Sequence, residues 1–76
     1  MSKVLAILTQ IRPEFDFSQS SDFFEDGLLD SFDLVTLVSD LDQSYGISID
    51  GMDIAPENFR NVAAIEALLT RSGVTP

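Results

Sequence analysis

No cysteine and no histidine occur among the 76 residues of this chain. The first absence removes disulfides, thiolate nucleophiles and cysteine metal sites together. The second removes the commonest general base and the commonest metal ligand. Cations are scarce as well: four Lys and Arg stand against thirteen Asp and Glu, for a formal charge of −9. A polyanion of this kind is repelled by nucleic acid and by anionic membranes, and it favours proteins with basic docking surfaces. Apolar runs are short, far below the roughly 20 residues that span a bilayer, so no stable membrane insertion is expected. Met1-Ser2-Lys3 leads into only a brief apolar stretch, with Gln10, Arg12 and Pro13 soon after it and no cleavage-like site. A cytoplasmic location is the expectation.

What is present suits one small domain spanning residues 1–76, with enough aliphatic content to fold despite the charge. A chain this short buries roughly 60% of its unfolded surface, so its core is modest and there is no room for a deep catalytic cleft. No motif organises the carboxylates into an acid–base pair, and no intrinsic catalysis is expected.

Periodicity predicts an all-α fold, a small bundle of three main helices and one short one with a long first loop. Val4, Leu5, Ile7, Leu8 and Ile11 recur at helical spacing, which predicts a helix over 2–12 with Ser2 as a candidate cap and Pro13 as the stop. The connection over 13–30 holds Phe15, Phe17, Phe23 and Phe24. Eighteen structureless residues are unusual in a compact domain, so these rings are expected to pack across the bundle. Leu34, Leu37, Val38, Leu41 and Tyr45 form one stripe of a second helix over 31–45, stopped by Gly46. Ile47-Ser48-Ile49 alternates like a strand but is short and lacks a partner run, so it reads as an extended loop. Pro56-Glu57-Asn58-Phe59 reads as one helical turn with proline first. Asn61 is a candidate cap for a last helix over 62–71, with Gly73 beyond it.

Ser31 stands out in Asp26-Gly27-Leu28-Leu29-Asp30-Ser31-Phe32-Asp33. Asp30 is a good N-cap, so the Ser31 hydroxyl falls in the first turn of the second helix. Free N–H groups and the positive end of the helix dipole converge there, which favours a phosphate. A serine at a helix start is more often a simple cap, and the position acquires weight only from its surroundings. Phe32, Asp33, Thr36, Ser39, Asp40 and Gln43, with Val35 and Asp42 at the edges, make the face of this helix opposite the apolar stripe. Asp22, Asp26, Gly27 and Asp33 also occupy positions one, five, six and twelve of a calcium-loop template. Phe24 stands where position three needs an oxygen, and no entering helix precedes the loop.

Asp26-Gly27-Leu28-Leu29-Asp30-Ser31-Phe32, then an acidic helix, Tyr45-Gly46-Ile47-Ser48-Ile49 and the turn at Pro56-Glu57-Asn58-Phe59, together resemble an acyl carrier protein over nearly the whole chain. The resemblance implies a stand-alone, monomeric carrier with covalent phosphopantetheine on Ser31, beside Asp30, its terminal thiol bearing an acyl or aminoacyl thioester. It also implies a phosphopantetheinyl transferase, a loading ligase and downstream acyl-transfer enzymes as partners, docking on Phe32, Asp33, Val35, Thr36, Ser39 and Asp40. Phe32 departs from the family's usual leucine, which bears on partner preference. The less acidic second helix and the Pro56–Phe59 segment look more similar to D-alanyl or aminoacyl carriers than to the housekeeping fatty-acid carrier. The alternative is an acidic adaptor of the same fold that binds a protein partner without a prosthetic group.

Overall fold

Ser2 starts the first helix: its hydroxyl accepts the N–H of Leu5 at 3.3 Å, and α1 follows over Lys3–Ile11. Arg12 caps the other end, its N–H donating to Leu8, and Pro13 cannot continue the helix. The structure is a computed structural model that describes residues 2–76. Among these residues the chain forms α2 over Ser31–Tyr45, α3 over Pro56–Phe59 and α4 over Val62–Arg71, with two 3-10 turns and no strand. This is the small all-α bundle, three main helices and one short one, that the periodicity predicts. α1 begins and ends one residue inside the expected span because Ser2 and Arg12 serve as its caps. Asn61 caps α4 as expected, its side-chain oxygen accepting the Ala64 N–H at 2.8 Å.

α1 packs on α2 and on α4, and α3 packs on α4. Val4, Ile7 and Leu8 of α1 meet the α2 stripe of Leu34, Leu37 and Leu41 in one buried cluster. Ile65, Leu68 and Leu69 of α4 and Phe59 of α3 complete it. The spacing of three and four in each set is what puts these side chains on one helical face. α1 and α2 run antiparallel and are joined at both ends by a cation, Lys3 in the first turn of α1 and Arg12 at its C-cap. Lys3 Nζ donates to the Ser44 carbonyl at 3.0 Å and lies 4.3 Å from the Tyr45 ring centroid. Arg12 reaches the opposite end, where α2 begins.

The long first connection is folded in its own right. Asp16 accepts the N–H of Ser18 at 3.1 Å and opens a 3-10 turn over Phe17–Gln19 that periodicity does not reveal. Phe17 and Phe23 are buried edge to face with centroids 5.1 Å apart, and Phe15 stands edge-on to Phe17 at 6.4 Å. The Phe23 carbonyl accepts from Leu28 and Leu29 at 2.8 and 3.1 Å, while its N–H donates to the Arg60 carbonyl at 2.6 Å. Gly27, at φ +77°, supplies the left-handed residue that lets this segment close on itself. Asp50 likewise caps a second short turn, Gly51–Asp53. Between α2 and that turn, Ile49 is buried and Ile47 packs on the core as loop, in line with the expectation.

Candidate functional site

The end of the first connection delivers the chain to Asp30 in an extended conformation, φ −124° and ψ −172°. Asp30 and Asp33 then form a reciprocal capping box. Asp30 Oδ1 accepts the Asp33 N–H at 2.9 Å, and Asp33 Oδ2 accepts the Asp30 N–H at 3.2 Å. Two of the helix's orphan donors are satisfied in this way. Arg12 braces the box from α1. Its Nε donates to the same Asp33 Oδ2 at 3.0 Å, Nη2 lies 3.8 Å from Asp30 Oδ2, and Nη1 lies 3.5 Å from Glu14 Oε2. The Asp33 N–H holds the Asp30 carboxyl below its ordinary range, with the Phe32 N–H and the Arg12 charge adding to it against some loss of hydration. Asp33 in turn raises the Arg12 guanidinium above its ordinary value.

Ser31 is exposed, at the first position of α2. Its own N–H has no acceptor among the described residues, and the ladder of the helix begins only with Leu34 donating to the Asp30 carbonyl at 3.0 Å. An accessible hydroxyl with a free amide beside it, at the positive end of a 15-residue helix, fits a phosphodiester whose far side must leave the protein. The residues present therefore suit the group that the sequence resemblance implies.

The outward face of α2 is more apolar than acidic next to Ser31. Phe32 is 85% exposed and Val35 67%, with Thr36, Ser39 and Gln43 open to solvent and Asp40 at the edge. Asp33 does not belong to it. The expectation put its carboxylate among the outward groups, but it is only 9% exposed and turned back onto Arg12 and the Asp30 N–H. A partner 21 residues upstream, at the end of another helix, draws it in. Asp42 is partly buried, accepting the Ile49 N–H at 3.0 Å. Met52, 92% exposed, and Ile54 add two uncovered apolar side chains between α2 and α3, where no periodicity marks them. A surface hollow of about 450 Å³ lies between the first connection and α3, lined by Asp22, Phe24, Glu25, Pro56, Glu57 and Arg60.

The calcium template meets two local obstacles. Asp22 caps its own turn, accepting from Phe24 and Glu25 at 3.1 Å each, and Asp33 is held by Arg12. Among the described residues no three acidic side chains converge as metal ligands would.

Comparison with curated proteins and with solved structures found no significant match. Comparison with protein families did: residues 2–69 match the family described as phosphopantetheine attachment site. That span takes in the first three helices and most of α4, with the capping box near its middle. Domains of this family are where phosphopantetheine is covalently attached, and in general they serve transferases and acyl-handling enzymes without being catalysts themselves. The chain belongs to the phosphopantetheine attachment site family and is a phosphopantetheine-bearing carrier.

Proposed function

We propose that this chain acts as a single domain that holds acyl or aminoacyl groups as thioesters on a phosphopantetheine arm rooted at Ser31, and presents them to partner enzymes. The observation that carries this reading is the Ser31 hydroxyl itself: exposed, in the first turn of α2, beside an amide without an acceptor. In the transfer, Ser31 Oγ forms a bond to the pantetheine-side phosphorus of coenzyme A. The bond from that phosphorus to the bridging oxygen breaks, adenosine 3′,5′-bisphosphate departs, and the hydroxyl proton passes to a base of the transferase. Once bound, the group supplies the terminal thiol that a chain without cysteine lacks. Asp30 and Asp33 keep the root of the arm fixed through their mutual cap.

Phe32 and Val35 are the apolar anchors for docking, with Thr36, Ser39 and Asp40 around them, and the charge of −9 speeds encounter with basic partner faces. Those partners are a phosphopantetheinyl transferase, a loading ligase and the enzymes that take the cargo onward. The less acidic outward face of α2, with Thr36, Ser39 and Gln43, and the Pro56–Phe59 segment support an aminoacyl cargo, D-alanyl included, over a long fatty acyl one. The test is intact-mass spectrometry after co-expression with a broad-specificity phosphopantetheinyl transferase. The wild type gains the mass of one phosphopantetheine and Ser31→Ala gains none; an addition that survives Ser31→Ala places the arm elsewhere. Loading the holo protein with a cognate ligase against a panel of amino and fatty acids then identifies the cargo.

A further inference from the structure

Arg12 is one of only four basic residues in the chain, and two of its three carboxylate partners, Asp30 and Asp33, stand at the start of α2. Ser31 lies between two carboxylates in sequence, Asp30 before it and Asp33 two residues after it. Uncompensated, this pair would oppose the approach of a donor that carries a diphosphate, since like charges at short range repel. One guanidinium faces both, Nε at 3.0 Å from Asp33 Oδ2 and Nη2 at 3.8 Å from Asp30 Oδ2. The same Asp33 oxygen accepts the Asp30 N–H, so the rotamer of Asp33, the closure of the cap and the seat of Arg12 are one arrangement. Arg12 is itself anchored as the C-cap of α1, its N–H on Leu8. Without it, a carboxylate that is 9% exposed would lose its cation and turn toward water, opening the reverse half of the box.

We propose that Arg12 is a positioning residue for phosphopantetheine transfer: from the end of α1 it fixes the turn that holds Ser31 and offsets the two carboxylates flanking the hydroxyl. The inference rests on the assignment of the arm to Ser31. Its planar fork, and not charge alone, is what the geometry uses, because three separate nitrogens meet three carboxylates.

The test measures steady-state transfer from coenzyme A with the carrier as varied substrate, for the wild type, Arg12→Ala, Arg12→Lys, Asp33→Asn and Ser31→Ala, below the melting temperature of each. Arg12→Ala lowers kcat by about tenfold while KM moves much less, as expected when orientation and not docking is lost. Arg12→Lys recovers less than half of that loss. Should Arg12→Ala fail to fold, Asp33→Asn carries the test, with a fall in kcat again expected. Unchanged kcat in the folded variants overturns the proposal, as does a loss confined to KM, which would make Arg12 a docking contact. Full rescue by lysine would reduce its role to charge and overturn the positioning. A wild type that takes no group, or a Ser31→Ala variant that still takes one, removes the attachment assignment and this inference with it. A normally modified wild type with an equally fast Arg12→Ala removes the inference alone.

Discussion

Asp30 and Ser31 are adjacent and do different work: one satisfies the helix so that the other is free of it. The Asp30 carboxylate is held in its charged form by the Asp33 N–H first, then by Phe32 and Arg12. A carboxyl whose folded value is depressed stabilises the fold above its unfolded value and loses that effect as the pH falls through the folded one. The stabilisation from Asp30 is thus complete above 3.8 and declines below it. Asp30→Asn keeps a good cap but cannot titrate. The melting temperature of the wild type should exceed that of Asp30→Asn at neutral pH, with the gap closing below 3.8 as thermal melts are followed by circular dichroism. A gap that persists at lower pH would mean that the Asp30 charge does not set it. At this scale the sequence was legible for Asp30 and Ser31 because an N-cap acts on its own neighbours. It was not for Asp33, whose burial depends on Arg12, a residue brought near only when α1 packs on α2. The spacing Asp30-x-x-Asp33 did carry a capping-box signal, although with Asp in place of the usual Glu or Gln.

Helices α2, α3 and α4 begin and end where caps and stops predict, since each boundary is written in one or two local residues: Asp30 and Gly46, Pro56, Asn61. Gly46 is at φ +66° with nothing within 4 Å of where a Cβ would stand, so only the backbone resists a side chain there. Gly46→Ala is expected to lower stability by roughly 1–2 kcal/mol in urea titrations. Gly51→Ala, also in open space but without a left-handed φ, should change stability by less than about 0.5 kcal/mol. Equal effects would show that the αL cap is not what makes Gly46 matter. The two 3-10 turns escaped periodicity because three residues are too few to show one. Their signal was the aspartate before each, Asp16 and Asp50, which bonds the N–H two residues on. The phenylalanines of the first connection announced that it packs, but not that it closes through Phe23 onto Arg60.

For the molecule as a whole, a small core makes each large side chain count. Phe59 is fully buried on the short α3, where it meets the cluster built by the longer helices. Phe59→Ala is expected to cost about 3–5 kcal/mol, comparable to the whole stability of many small domains. Loss of a cooperative thermal transition at 25 °C and above would be the result; a variant melting within a few degrees of wild type would show that α3 is dispensable to the core. The charge of −9 acts at the same scale. Association with a basic partner should slow as salt is added, since exposed charges are screened beyond about 10 Å at 0.1 M. Stopped-flow rates that ignore ionic strength would leave Phe32 and Val35 as the main determinants of encounter.

The cation at the far end of the hairpin has a practical consequence. Lys3 covers Tyr45, and the Tyr45 hydroxyl donates to the Pro76 carbonyl at 3.1 Å, so residue 76 lies at the tail of α2. α2 runs from Ser31 to Tyr45, and at 1.5 Å per residue that corner stands about 21 Å from Ser31. A fluorophore or a surface linker grafted next to Pro76 would sit at the antipode of Ser31, the proposed root of the arm. Immobilised that way, the molecule would offer its working end to every enzyme passed over it.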